Sequence, residues 1–365
     1  MTMSCLYGYS PARTLKKLLL IICVTGLSGC ADHIYETRSL AGSPVPVPEI
    51  TRLQDGLLTT EVSVLIYNVE GLPWPARSNR KGKLRQIADV IKKSRENGNG
   101  PDFIFLQEAF SKSAAKIAEI SGYQNVVAGP RRSRKRRDES ADIPKDFKKG
   151  RRRFKGERFG KFLNSGLYVL TDHEIISYRR DPFSKRACAG FDCLANKGIL
   201  SVRAQVAGVP TPIDLFTVHM NSQKASGVKT PRANKAHEYQ VDETTFFLRN
   251  HRDTQNPFVF AGDFNMRNSS GRLEYFSYQL PYNVVRHYCT VIVQDCQIEM
   301  SWDGDEPWLD TQDLQFFGNG QHVKIRPIHA KAMFDEKYPD GKLSDHDGYL
   351  VTYRLSWDEK YCFSQ

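Results

Sequence analysis

The sequence predicts one large α/β domain with sheets inside and helices outside. Three observations predict it. Short β-branched and aromatic runs recur along the chain, Val62–Tyr67, Phe103–Leu106, Ile199–Val206 and Phe258–Ala261 among them, each of strand length. Between them lie segments with a helical spacing of apolar residues. The two kinds mix without strict alternation, and no internal repeat is evident. At 365 residues the chain can bury a large core. Hydrophobic content of 40% and charged content of 25% are ordinary for a globular protein.

The elements follow in order. Ser43-Pro44-Val45-Pro46-Val47-Pro48 favours extended polyproline, so residues 30–60 read as a tether. The domain is expected over 61–357, with 358–365 as a tail. Val62–Tyr67 is a strand ending at Asn68. Lys83–Ser94 is a helix, with Leu84, Ile87, Ala88 and Ile91 on one face. Phe103–Leu106 is a strand ending at Gln107-Glu108. Ser111 caps a helix that stops at Gly122. Tyr123–Ala128, Leu167–Leu170, Ile199–Val206 and Ile213–Val218 are strands. Thr230-Pro231 opens a long helix through about Arg249, with Thr230 as the cap. Phe258–Ala261 and Tyr349–Leu355 are strands, and residues 280–340 carry no clear pattern.

The net charge of +11 is concentrated in one segment. Residues 131–161 hold 15 Lys/Arg against 5 Asp/Glu, a net of +10. So many like charges and so few apolar residues predict a mobile surface loop that attracts an anionic partner. Lipid head groups, lipopolysaccharide and nucleic acid all qualify. Phe147, Phe154, Phe159 and Phe162 interleave the charges, which suits an interface.

The first residues are not fold. Arg13, Lys16 and Lys17 precede the apolar run Leu18–Val24, too short to span a bilayer and the length of a signal-peptide core. The run leads to Leu27-Ser28-Gly29-Cys30, which resembles the lipobox of bacterial lipoproteins. That resemblance implies removal of 1–29, lipid on Cys30 and anchoring to a membrane without spanning it. Ala31 after the cysteine implies the outer membrane of the cell envelope. Cys5 and Cys23 would leave with the signal. Of the remaining cysteines, Cys188 with Cys193 and Cys289 with Cys296 form the natural short-loop pairs in an oxidising compartment, leaving Cys362 free. Other pairings stay open. No spacing suits zinc.

Five strand ends or turns finish in polar groups. Asn68 closes YNVEGL, Glu108 closes FLQE, and His219 sits in TVHMNS. Asp263 and Asn265 close AGDFN, and Asp345 and His346 sit in LSDH. Ligands of α/β proteins collect beyond strand ends. Singly each has an ordinary reading, because Asp-x-Asn is a common turn and a lone histidine after a strand is most often structural. In this order, with SGLYVLT and NKGIL, they resemble the endonuclease/exonuclease/phosphatase superfamily over about residues 62–355. The cysteine loop before Asn196-Lys197-Gly198 is most similar to bacterial sphingomyelinases. The resemblance implies a four-layer sandwich of two central mixed β-sheets flanked by helices. One departure stands out: where the family carries an Asp-Tyr-Ile strand, this chain has Asp313-Leu314-Gln315-Phe316-Phe317.

The residue types fit phosphodiester hydrolysis, which must neutralise charge, activate water and protonate a leaving oxygen. Mg²⁺ suits the first task, with Mn²⁺ as the other fitting ion, and Glu108 with Asn68 is its expected ligand pair. His346 is the expected base, oriented by Asp345 or Asp313. Asp263 is expected to position the nucleophile or protonate the leaving group. Asn265 and His219 are expected to donate to the phosphate, with Lys197 and Asn221 as further phosphate-binding residues. Extended backbone would turn Asp263 and Asn265 to one side. Three functions follow: a monomeric sphingomyelinase-like enzyme, a secreted nuclease, or a non-catalytic surface binder.

Overall fold

In the computed structural model, two sheets pack face to face. The structure describes residues 37–38, 45–136, 143–293, 295–304, 306–308, 312–336, 338–339 and 341–363. The expected signal and the expected lipidation site, Cys30, lie outside them.

Fourteen strands are described: β1 (Thr51–Arg52), β2 (Leu58–Asn68), β3 (Phe103–Gln107), β4 (Asn125–Ala128), β5 (Tyr168–Thr171), β6 (Glu174–Pro182), β7 (Gly198–Gln205), β8 (Ile213–His219), β9 (Phe258–Asp263), β10 (Asn283–Val284), β11 (Gln297–Glu299), β12 (Asp313–Gly318), β13 (Lys324–Met333) and β14 (Gly348–Trp357). The first sheet runs β11-β13-β14-β2-β3-β5-β4, with β1 paired to β2. The second runs β10-β12-β9-β8-β7-β6. Each sheet is antiparallel except for parallel pairs, and each has one at its centre, β2 with β3 and β8 with β9. Two helices, α1 (Arg80–Glu96) and α2 (Lys112–Ile120), cover the outer face of the first sheet. Leu84, Ile87, Ile91 and Ile117 meet Leu65, Ile104 and Leu106 there. On the second sheet, Phe216 packs edge-on against Phe247 of α4 (Thr230–His251), and Phe260 stacks on Phe276 of α5 (Ser270–Gln279). This is the expected α/β sandwich of two mixed sheets with flanking helices.

The interior between the sheets is apolar, with Val64, Phe103, Phe105, Leu215, Val259 and Tyr349 in one cluster. Two glutamines cross it. Gln315 Nε2 donates to Val64 O at 3.0 Å and Tyr349 O at 2.9 Å, and its Oε1 accepts from Tyr353. Gln107 Nε2 donates to Thr217 Oγ1 at 3.2 Å. Buried polar groups that find partners fix a unique arrangement, so these bonds set the register of one sheet over the other.

Several expectations are corrected. Strand pairing begins at Thr51, ahead of the expected boundary at Glu61. The expected tether also touches the body: Arg38 pairs with Val126, and its guanidinium donates to Tyr123 O at 2.7 Å. Tyr123 precedes β4 and does not belong to it. Lys229, not Thr230, caps α4, without a side-chain bond. The expected tail folds back: Glu359–Phe363 forms a short 3-10 turn and Tyr361 packs at a tilt against His322. β6 escaped the sequence because it is an edge strand exposed along most of its length, so its alternation carries no core signal. Both short-loop disulfides form, Cys188–Cys193 and Cys289–Cys296. The side chain of Cys362 lies outside the described set.

The basic segment is not a bare loop. Its described part holds α3 (Lys145–Lys149) and a 3-10 turn at Arg153–Lys155. Ile143 enters the main core, and Phe147 packs edge-on against Tyr239. Glu157 is fully buried, accepting from Arg232 Nε at 2.7 Å and Nη2 at 2.9 Å, and from Gly190 N at 2.8 Å. One acid among many cations therefore ties the segment to the body.

Candidate active site

The two central parallel pairs end side by side, and strand register lines up the polar side chains. Asn68 pairs with Gln107, the residue before Glu108. On the other sheet His219 pairs with Asp263, and Asp263 with Asp313. The last turn, 343–346, is held over the first sheet by Ser344 Oγ, which donates to Asn68 O at 2.6 Å. The buried Arg80 donates to both Val69 O and Leu343 O at 2.7 Å.

His346 Nδ1 lies 2.6 Å from Asp313 Oδ2, and both side chains are largely buried. Its Nε2 faces Gln312 Nε2 at 2.9 Å and Asn68 Nδ2 at 3.4 Å. Asn68 Nδ2 also donates to Asp263 Oδ2 at 3.0 Å. Burial alone would lower the His346 pKa, but Asp313, then Asp263 and Asp345, outweigh it and hold the ring protonated to well above its usual range. Burial, reinforced by the Asp313 charge, pushes Asp263 up to about 7. Asp263, Asp313 and His346 each bring one polar atom within 4.8 Å of the others.

Glu108 adjoins this group through a side-chain hydrogen bond with Asn68. Its backbone φ is 55°, and Asn265 at 53° and Glu70 at 47° share that left-handed region. Non-glycine residues there are uncommon and often mark functional sites. Burial raises the Glu108 pKa, against the pull of Lys197 and His346. Glu108 Oε1 is 3.8 Å from His219 Nε2, and Asp263 Oδ2 is 3.5 Å from the same nitrogen. His219 is fully buried, and burial beside Lys197 holds its pKa well below the usual value. The ring is therefore neutral. Its Nε2 accepts from Lys197 Nζ at 2.9 Å, so the ring proton sits on Nδ1.

Lys197 is no surface residue. It is buried, donates to Met220 O at 3.0 Å and pairs with Asp192 of the disulfide loop. Asp192 also accepts from Ser222 Oγ. Glycine after Lys197 is required by close approach, because a Cβ on Gly198 would stand 2.2 Å from Asp181 O. Gly262 is needed likewise: its Cβ would meet Val218 O at 2.2 Å and part β8 from β9.

Four sequence expectations change at this level. Asp345 is half exposed and faces Arg77 at 3.4 Å, so Asp313 alone holds the imidazole. Asn265 has left the strand. Its N–H donates to Asp263 Oδ1 at 2.9 Å and its Nδ2 to Met220 O at 3.2 Å, so simple alternation does not set its direction. Asn221 is buried and spent in its loop, accepting from Ala189 N at 2.8 Å and donating to Ser222 O at 2.8 Å. His219 offers Nε2 as an acceptor, and Lys197 is the donor there. The sequence also missed supports. Arg272 donates to Asn221 O at 2.7 Å and Asn265 O at 2.8 Å, clamping both turns, and His237 Nε2 lies 2.8 Å from Phe264 O. Both lie on helices whose pattern gives no hint of a site.

A family model described as the endonuclease/exonuclease/phosphatase family matches residues 65–319. The chain belongs to that family. Its name covers nucleases and phosphatases, hydrolases of phosphate esters. No curated protein sequence matches the chain. Among solved structures, sphingomyelinase C from Streptomyces griseocarneus is similar, with 18% identity and a TM-score of 0.58, covering 80% of this chain and 99% of that one. A double mutant of Staphylococcus aureus beta toxin with bound magnesium ions gives 15% identity and 0.54 over 82% and 100%. Danio rerio (D. rerio) TDP2 complexed with a single-strand DNA product gives 15% and 0.52 over 80% and 98%. At such identities these likenesses speak for the family's fold. Asp313, whose neighbours Leu314 and Gln315 depart from the family's pattern, makes the shortest contact to His346.

Proposed function

We propose that this chain is a Mg²⁺-dependent phosphodiesterase of the sphingomyelinase or phospholipase C kind, cleaving its substrate by attack of water. The Asp313–His346 pair facing Asp263 and Asn68 carries the reading, because it joins a proton acceptor to a site built for an anionic centre. The donor set fits a hard cation. Glu108 and Asn68 offer oxygen, whereas His346 Nδ1 and Asp313 Oδ2 are committed to each other. Mn²⁺ would fit the same oxygens. A bound Mg²⁺ would neutralise phosphate charge and polarise the phosphoryl group.

The protein's own groups do the rest. Asp313 fixes the ring of His346, which takes the proton from water once it has lost its own. Asp263, with a pKa near 7, positions the nucleophile or carries a proton for the leaving oxygen. Lys197 and the Asn265 amide stabilise charge as it grows on the phosphate.

The lipid reading draws support from the cysteine loop before Asn196-Lys197-Gly198 and from the likeness to sphingomyelinase C. A nuclease reading is favoured by the +10 segment and by the likeness to TDP2. The purified protein, given sphingomyelin, phosphatidylcholine and plasmid DNA in parallel with Mg²⁺ or EDTA, decides. Mg²⁺-dependent choline-phosphate release supports the proposal. Turnover of DNA alone replaces it with the nuclease, and no turnover of any phosphodiester leaves a non-catalytic binder. We further propose that the chain is a monomer held by lipid on Cys30 at the outer membrane of a bacterial envelope. Loss of membrane fractionation in Cys30→Ser tests the anchor.

A further inference from the structure

A second concavity lies away from the carboxylates of the cleft. It has a volume of about 420 Å³ and is lined by Lys148, Lys149, Arg151, Arg158 and Arg186. Four of these come from the basic segment, and Arg186 precedes the Cys188–Cys193 loop. Among the described residues no acid lines the cavity. Glu157 is buried beneath the segment and held by Arg232 and Gly190, so it anchors the segment and offsets only part of the charge of the five cations. Burial lowers the Arg151 pKa, and Arg186, Arg232 and Arg158 add to that against the pull of Glu157. Crowded guanidinium groups are matched by phosphate oxygens, which they bind as two-pronged forks.

Exposed aromatics adjoin basic residues of the same segment along the chain. Phe154, after Arg153, is 89% exposed, and Phe159, after Arg158, is 42% exposed. Phe191, in the disulfide loop, is 46% exposed under Lys155 Nζ, 5.5 Å from its ring centre. A nucleic-acid groove would stack its aromatics on bases along a track of cations. Single exposed phenylalanines on the segments that build an open cationic concavity instead match a lipid surface, with ring in the acyl boundary and cation at the phosphate.

We propose that this cavity is a second anion site that takes the phosphate of an anionic phospholipid, with Phe154, Phe159 and Phe191 entering the bilayer surface around it. The disulfide loop ties this site to the cleft. Arg186 stands at one end of the loop, and Asp192 at the other holds Lys197, which contacts His219. Docking here would set the cleft rim against the bilayer. The site is independent of which phosphodiester is cleaved, and its test reads binding.

The probe is sedimentation with vesicles of phosphatidylcholine, with and without phosphatidylglycerol, using Cys30→Ser protein so that no acyl chain contributes. The protein should partition at least tenfold more strongly onto anionic vesicles, and added salt should weaken this. Losing one basic contact at an anionic surface weakens partitioning about fivefold. The combined Arg151→Ala, Arg158→Ala, Arg186→Ala variant should then lose about a hundredfold, while turnover of a soluble chromogenic phosphodiester stays within twofold. Phe154→Ser, at a site too exposed to unfold the chain, should weaken partitioning severalfold. Equal binding to both vesicle types, binding to duplex DNA without binding to anionic vesicles, or full vesicle binding by the triple variant or by Phe154→Ser would each overturn the proposal.

Discussion

Replacing Asp313 with Asn keeps the size of the side chain and removes its charge. The partner, His346 Nδ1, is 2.6 Å away in a largely buried pair. A charge-assisted hydrogen bond of this kind is worth about 1.5–3 kcal/mol, and each 1.4 kcal/mol is about tenfold in rate. Loss of that bond alone costs about 10- to 150-fold. The amide can also present its NH₂ to the ring and favour the wrong tautomer, which brings the loss toward the ~10²–10⁴ typical of general-base catalysis. We expect Asp313→Asn to lower kcat/KM about 10²- to 10³-fold. Asp345→Asn, half exposed and facing Arg77, should cost less than about tenfold. The assay is Mg²⁺-dependent hydrolysis of a soluble chromogenic phosphodiester, with circular dichroism confirming the fold. The pH profile gives a second readout. Asp313 raises the pKa of His346, so its removal must lower that pKa and move the alkaline-rising limb to lower pH. The reasoning fails if Asp345→Asn is the more damaging change, or if the limb in Asp313→Asn stays in place.

Glu108→Gln should abolish turnover, by about 10³-fold or more, and also abolish the thermal shift on adding Mg²⁺; a retained shift would place the ion elsewhere. Gln315→Leu removes the bonds that join the second sheet to β2 and β14 of the first and leaves buried carbonyls without a donor, so urea unfolding should show a loss of about 2–4 kcal/mol, and a loss under 1 kcal/mol would show that the sheets hold register without it. Burial beside Arg272 holds His237 at a folded pKa of about 3, below the unfolded value of about 6.5. Its contribution to stability is thus complete above pH 6.5 and lost on acidification at about 1.4 kcal/mol per unit down to pH 3. From pH 7 to 5 that is about 2 kcal/mol in urea midpoints, and His237→Gln should flatten this part of the curve; an unchanged slope would mean the ring is not held neutral.

The strand ends were legible because the physics is local. Val62–Tyr67 and Phe258–Ala261 are apolar on both faces, as buried parallel strands require, so a polar residue after them stands out. What needs partners from elsewhere was not legible. Asp313 does not stand out in the sequence, because its neighbours Leu314 and Gln315 break the expected pattern and its meaning lies in pairing opposite Asp263 across β9 and β12. Asn221 reads like a phosphate ligand from TVHMNS, and only the fold shows its amide spent on Ala189. In 131–161 the charge count concealed the anchor, because Glu157 is one acid among many cations and its burial depends on Arg232, far along the chain.

The site's placement follows from joining two sheets at their parallel centres. A parallel pair brings two strand ends to one edge, and here each sheet brings its own: Asn68 and Glu108 from one, His219 and Asp263 from the other. The turn that carries His346 is held on the first sheet, and Asp313, which fixes its ring, comes from the second, so the site spans two separate rigid bodies. Their spacing is fixed by buried bonds such as Gln107 to Thr217, which lie directly beneath the cleft. A single strained loop could not hold Asn68 within 3.0 Å of Asp263 across that seam, whereas two locked sheets can. Substitutions that let one sheet slide on the other should accordingly weaken catalysis before they unfold the protein.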